Sequence, residues 1–335
     1  MPHTRRGPAE VALVASLRDC IASTLGPLLQ GVRRVALLDA PAYANLGDSL
    51  ILLGTLAVLR TLGVPAPCWL ASGGVYERAA LARALGEGAI LLSGGGNFGD
   101  LWPERQDHRE RVLRDFPDNP VIQLPQSIHF DDPAKRDRAR EAVRSHARFT
   151  LLVRDRPSLA FDETALLCPD VSLAFEPSRN GMRPGQGVLW IGRGDHERAS
   201  ARSFAPPPGV LVRDWGDEPA TPLTRWTGWT RRNLARRPRL LGILRRPYSR
   251  AIVALARRRC ARGSAEIQGS AAVVTERLHG HILCLLLGVP HFILDTRQGK
   301  IGAFRDAWTA ACSLGRTCGA PQEALALAQE QARAG

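Results

Sequence analysis

Residues 275–290 read TERLHGHILCLLLGVP, with Glu276, Arg277, His279 and His281 inside six positions at the mouth of an apolar run. In an extended backbone alternate residues share a side, so Arg277 and His279 would point one way while Leu278 turns to the core. An arginine fork two residues from an imidazole can hold a carboxylate or phosphate and offer a proton beside it. The structural alternative is a buried Arg277–Glu276 pair with a core histidine. His281, one turn further on, reads as structural, and Cys284 in LCLLL as core.

Other apolar runs also end in unusual polar groups: RRVALLDA is followed by PAYANLGDS, AILLS by GGGNFGD, VIQLPQS by IHF and FTLLV by RDR. These are the positions at which an α/β protein collects ligand groups. Arg154 is a second candidate cation, unless it simply pairs with Asp155, and Lys300 in DTRQGK is a third. In NLGDS a strand gives way to a helix whose first N–H groups suit an anion or a sugar hydroxyl; the alternative is a turn in which Asp48 only caps that helix. SGGGNFGD holds a G-x-G-x-x-G at Gly94, Gly96 and Gly99. A dinucleotide reading is discounted, because the motif is not in the first unit and the next strand ends in Gln126 and Ser127 rather than an acid. The glycines then mean close backbone approach to a ligand, or a tight turn.

The elements that must position these groups alternate between short apolar runs and helical patterns, the signature of parallel sheets covered by helices. Strands are expected at 33–40, 66–72, 89–93, 121–127, 149–155 and 165–170, then at 187–193, 209–215, 271–276 and 291–296. Helices are expected from Asp48, at about 279–288 and 299–314, and in the tail. A chain of 335 residues is long for one core and suits two domains, each with a core of its own. The Pro/Gly-rich 176–187 is the boundary, dividing residues 1–178, a Rossmann-like half, from 179–320, a second such half, with 321–335 as a final helix or tail. Two doubly wound halves place the site in the cleft between them.

Composition narrows the function. No apolar run approaches the roughly 18 to 20 residues of a membrane span, and the apolar part of the start is too short for a secretory signal. Seven cysteines without CxxC or paired spacing favour reduced thiols, a cytoplasmic setting and no metal site. Of the formal charge of +13, twelve arginines in 231–262, with no acid among them, leave +1 for the rest of the chain. That segment could be a solvated helix face, a nucleic-acid contact, or a contact for an anionic membrane surface or glycolipid, and the last is favoured over nucleic acid.

Several of these stretches resemble the polysaccharide pyruvyl transferase family: NLGDSLILLGTLAVLRTLG (45–63), LLSGGGNFGDLWPERQDHRERVLRDFP (91–117), VIQLPQSIHF (121–130), LLVRDRPSLAF (151–161), CPDVSLAF (168–175) and TERLHGHILCLLLGVPHFILDTRQGKIGAFRDAW (275–308). The SGGGNFGDLWP and ERLHGH blocks in this order are the specific part, and residues 198–270 lie outside the quoted blocks. The resemblance implies a glycosyltransferase-B-like pair of facing Rossmann halves. It also implies phosphoenolpyruvate as co-substrate, with no bound redox cofactor, and a pyruvate ketal formed on a sugar, lipid-linked or polymeric, of a bacterial exopolysaccharide or other surface glycan. Membership would put His279 as general acid and Arg277, Leu278, Arg154 and Lys300 around the donor. Asn45, Gly47, Gly95, Gly96, Asn97, Gln126, Ser127 and His129 would form acceptor-side loops, with Asp48 as base. A cytoplasmic enzyme peripheral to the inner membrane face is the corresponding setting. Two other readings stand beside it. One is a nucleotide-sugar glycosyltransferase of the same fold, with Glu276 its carboxylate; the other is a non-catalytic membrane- or nucleic-acid-binding protein.

Overall fold

The computed structural model describes residues 7–73, 75–178, 185–194, 204–237 and 240–334. The expected boundary meets residues 179–184, and these, with 198–203 of the irregular stretch and 238–239 of the basic segment, lie outside the described residues.

The first half runs α1 (Pro8–Leu29), β1 (Val35–Leu38), α2 (Leu46–Thr61), β2 (Trp69–Leu70), α3 (Arg78–Leu85), β3 (Ala89–Leu92), β4 (Gly95–Gly99), α4 (Pro103–Asp115), β5 (Val121–His129), α5 (Pro133–Arg144), β6 (Phe149–Val153) and β7 (Leu166–Leu167). The second runs β8 (Val188–Gly192), β9 (Leu211–Asp214), α6 (Pro222–Arg236), α7 (Leu241–Gln268), β10 (Ala272–Thr275), α8 (Leu278–Leu287), β11 (His291–Ile293), α9 (Lys300–Phe304), β12 (Gly315–Thr317) and α10 (Pro321–Ala334). Two all-parallel sheets result, one ordered β2-β1-β3-β5-β6-β7 with β4 also on β5, the other β12-β11-β10-β8-β9. VALL of β1 and AILL of β3 pair in register from Val35–Ala89 to Leu38–Leu92 and are buried throughout, as strands covered on both faces require.

Every strand expected from the sequence is present, and two unexpected ones, β4 and β12, are added. β4 is built from the glycine motif itself. A Cβ on Gly99 would lie 1.7 Å from His129 O and one on Gly94 2.8 Å from Pro125 O. The glycines therefore let β4 press against the β5 backbone, and Gly95 and Gly99 adopt positive φ to do so. The expected helix from 299 breaks into α9 and a π-helical turn at Arg305–Thr309.

The second half has a core cluster of its own, in which Val188, Trp190, Val274, Phe292 and Leu325 pack together. The expectation of separate cores holds only there, because two other clusters are shared between the halves. The largest cluster joins β1, β3 and β5 residues to Ile282, Leu285, Ile293, Ile301 and Phe304 of the second half, and a smaller one joins Leu46 and Leu50 to Leu189, Ile191 and Leu283. α7 causes much of this by lying on α2: a Cβ on Gly263 would sit 2.1 Å from Leu46 Cδ1. α1 is the one helix among the described residues long and apolar enough to cross a membrane. Its Val14, Leu17, Ile21 and Leu25 pack into the core, and Arg18 donates to Leu173 O and Phe175 O.

Candidate functional site

A cavity of about 320 Å³ opens between the carboxyl ends of the two sheets. That is near the lower end of small-ligand clefts, roughly 300–1,000 Å³. Its first-half wall begins at α2. Asn45 caps that helix, its side chain accepting from Asp48 N at 3.2 Å. The expectation that Asp48 is the cap is therefore corrected: Asp48 stands within the first turn of the helix and accepts the Tyr43 hydroxyl at 2.5 Å. Burial first, then the Asp48 charge, pushes the Tyr43 phenol well above its ordinary range, so it stays a donor. Behind it Asp39, at positive φ (63°), pairs with Arg105, whose guanidinium lies 4.8 Å from the Tyr43 ring centroid. Burial raises the Asp39 carboxyl despite Arg105.

The second-half wall is the start of α8. β10 ends at Thr275 and α8 begins at Leu278, so Arg277 is the residue before a helix and not a member of an alternating extended pair. Arg277 donates to Asp214 Oδ1 at 2.5 Å and to Gly192 O at 3.1 Å. His279 sits in the first turn of α8, its Nε2 3.5 Å from Asp170 Oδ2. Its ring rests on α2, where a Cβ on Gly47 would be 2.5 Å from His279 Nδ1.

Between the walls Arg154, at the end of β6, is buried and paired with Asp170 at 2.7 Å, while its Nε donates to Ser127. The alternative of an Arg154–Asp155 pair is thus replaced, since Asp155 instead accepts from Ser127 and Ser158. Burial alone would raise the Asp170 carboxyl, but His279 and Arg154 outweigh it and hold Asp170 well below the usual carboxylate range. Lys300 donates to Gly96 O at 3.1 Å. A Cβ on Gly96 would lie 3.0 Å from Arg154 Nη2 and 3.4 Å from Lys300 Nζ, so two cations converge on one small backbone patch of β4.

Of the residues singled out in the sequence, Asn45, Gly47, Asp48, Gly96, Asn97, Arg154, Arg277, Leu278, His279 and Lys300 line this cavity. Gly95, Gln126, Ser127 and His129 do not. Gln126 is fully buried and holds Asn97, accepting from its N–H and donating to its Oδ1. Ser127 holds Arg154, and Gly95 carries the β4 backbone at φ 131°. His129 lies on the far end of β5, bonded to Asp131. Sequence reading missed Tyr43, Trp102, Arg105 and Trp215, which line the cavity, and Asp170 and Asp214, which hold its cations. Trp215 follows Asp214 directly, and its buried indole N–H has no partner among the described residues. Arg109, also missed, is buried below Asn97, donates to its Oδ1 at 3.2 Å, and stacks 4.1 Å from the Phe98 centroid. His281 is structural as read: it bonds His291 at 2.7 Å and Thr309 at 2.8 Å.

The arrangement can hold a small dianion between Arg154, Lys300 and Arg277, put a proton beside it through His279, and present Asp48 and Tyr43 to a hydroxylated partner. Comparison with known proteins gives this chemistry a context. The family model described as polysaccharide pyruvyl transferase matches residues 45–298, running through the 198–270 stretch that the sequence blocks left out. The chain is 29% identical over 304 residues to Pyruvyl transferase 1 of Schizosaccharomyces pombe, covering 85% of this chain and 72% of that protein. It is 28% identical over 289 residues to EpsO of Bacillus subtilis, which carries a pyruvyl transferase name, covering 81% and 84%. A functionally uncharacterised Klebsiella pneumoniae protein has a similar fold, with a TM-score of 0.58 at 15% identity over 90% of this chain and 99% of that one.

Proposed function

Because the chain belongs to the polysaccharide pyruvyl transferase family, and is on that ground an enzyme that transfers pyruvate onto polysaccharide, we propose that it takes the pyruvyl group from phosphoenolpyruvate. The product is a pyruvate ketal on a sugar of a cell-surface glycan such as a bacterial exopolysaccharide. The convergence of Arg154 and Lys300 on Gly96, beside the His279–Asp170 pair, carries this reading. Phosphoenolpyruvate has a carboxylate and a phosphate on one carbon, and needs closely spaced cations at both. Two Rossmann-like halves facing across the cavity, as in glycosyltransferase-B enzymes, would bring Arg277, His279 and Lys300 of the second half together with Arg154 of the first around the donor, and set the start of α2 against the acceptor.

In this mechanism Arg277, Arg154 and Lys300 fix the donor, and the backbone about Leu278 closes its wall. His279, beside Asp170, protonates the methylene carbon, which makes C2 electrophilic. One sugar hydroxyl, its proton accepted by Asp48, attacks C2. Loss of phosphate follows, and a second hydroxyl of the same sugar closes the ketal. Two hydroxyl protons are released and one is taken up by carbon, so phosphate and the remaining proton leave as the balance. Asn45, Asn97 and Trp102 line the cavity beside Asp48 and would meet the acceptor. Phosphoenolpyruvate serves as co-substrate, with no cofactor needed for the bond changes. The seven free cysteines suit the reducing cytoplasm in which the reading places the enzyme.

Calorimetric titration with phosphoenolpyruvate tests the donor, with Lys300→Met and Arg277→Ala beside the unsubstituted protein and UDP as the competing ligand. Saturable binding of phosphoenolpyruvate, lost in both variants, is expected. Binding of UDP without phosphoenolpyruvate would replace the donor by a nucleotide sugar.

A further inference from the structure

The arginine-rich segment that the cavity does not use builds a second concave surface. A groove of about 820 Å³ runs between α7 and the edge of the first sheet at β2. Six arginines line it, Arg34, Arg83, Arg245, Arg246, Arg250 and Arg257, and no acidic residue does. Its floor is apolar, made by Leu56, Pro67, Leu70 and Val253. Arg245 is built into the wall: it donates to Cys68 O and lies 4.6 Å from the Trp69 ring centroid. Arg246, Arg250 and Arg257 are exposed and make no hydrogen bond or ion pair among the described residues. With Val253 they repeat at four, three and four positions, and so form one stripe along α7. Ile243, three residues before Arg246 on that face, is 77% exposed.

We infer that this groove docks the chain on a bilayer surface carrying anionic phospholipid. Guanidinium groups without carboxylate partners match phosphate-bearing headgroups, and an apolar floor with an exposed isoleucine beside it matches the acyl boundary beneath them. A polynucleotide would satisfy the charges and leave that floor without a partner. The groove flanks residues that precede β1 and β2, whereas the cavity lies beyond the carboxyl ends of the strands. Docking thus leaves the cavity open to water, and the inference stands whether or not phosphoenolpyruvate is the donor.

Vesicle co-sedimentation tests it, using the full chain with phosphatidylcholine alone, with phosphatidylcholine containing phosphatidylglycerol, and with duplex DNA as competitor. Binding is expected only to the phosphatidylglycerol vesicles and should fall as sodium chloride rises. Arg246→Glu with Arg250→Glu should weaken it by roughly tenfold or more, and Val253→Asp should weaken it too. The Glu double variant should keep the thermal midpoint and the turnover of a soluble acceptor. Equal binding to phosphatidylcholine alone, unchanged binding by the double variant, or DNA binding without vesicle binding would overturn the inference.

Discussion

Two side chains, Asp170 and Arg154, decide what His279 can do, and only one of them was legible as a site residue. Asp170 accepts from Arg154 at 2.7 Å and faces His279 Nε2 at 3.5 Å, so one buried carboxylate holds both the cation and the acid. Arg154 was marked because it ends a strand; Asp170, in CPD, stands on a short 3-10 turn whose direction no local pattern reveals. For the proposed proton transfer, His279→Gln keeps a polar side chain but loses the proton. It should lower kcat by about 100- to 10,000-fold with little change in the donor KM, as steady-state kinetics would show. Asp170→Asn should do something different. It leaves Arg154, 3% exposed, without its counter-charge, so urea unfolding should show a loss on the order of 3 kcal/mol and donor binding should weaken as well. Because the folded carboxyl of Asp170 is held low, its stabilising contribution is present above the ordinary value of 3.8 and is lost only as pH falls below that. An acid limb in the activity profile above about pH 5 therefore belongs to another group.

At the scale of elements, α2 is the part on which the site turns, and its packing rests on glycine. Its start supplies Asn45, Gly47 and Asp48 to the cavity, and its middle lies against the turn that carries Asp170. There a Cβ on Gly54 would stand 2.1 Å from Val171 O, a backbone atom that cannot rotate aside. Gly54→Ala should push the turn away from α2, lowering stability by about 1–3 kcal/mol and weakening donor binding. Thermal unfolding and titration would register the two losses together. Gly96→Ala separates them, because its Cβ would meet only the ends of Arg154 and Lys300. Donor affinity should fall while the melting midpoint holds. The strands were legible because four-residue apolar runs such as VALL and AILL have few other uses in an α/β chain. β4 was not, since GGNFG has no strand propensity of its own and pairs only because glycine permits contact with β5. Nor does PERQDHRERVLRD distinguish Arg105 and Arg109, which reach under the cavity, from arginines that face water.

Across the whole molecule the halves are coupled at the site and in the core. Lys300 reaches Gly96 O, and the Trp308 indole donates to Arg154 O at 2.8 Å, so groups of the second half hold the β4 backbone and the first-half cation Arg154. Two parallel sheets flanked by helices were legible in the alternation of elements. Their shared core was not, because it depends on where α7 and α8 lie in space. With that core continuous, chemical denaturation should give one transition reported alike by far-UV signal and tryptophan emission. Its pH dependence has an identifiable source in the buried histidine chain linking α8, β11 and the π-helical turn. His291 Nδ1 donates to Val289 O at 2.9 Å, so its Nε2 accepts from His281 Nδ1, and His281 Nε2 accepts the Thr309 hydroxyl. Every position in the chain is filled with both rings neutral, and either added proton would meet a donor. Burial, with each ring's charged neighbours, depresses both, His291 to about 4 and His281 well below its ordinary 6.5. The unfolded chain takes up protons below about pH 6.5 while the folded one does not, so the unfolded state binds more. Stability is therefore complete above that pH and declines toward about pH 4, by on the order of 3 kcal/mol from His291 alone, with His281 adding to the loss in the same direction. The fall in urea midpoint between neutral pH and the lower end of this window should become shallower in His291→Gln, which has one titrating ring fewer. A drop of equal depth in that variant would assign the acid sensitivity to groups elsewhere.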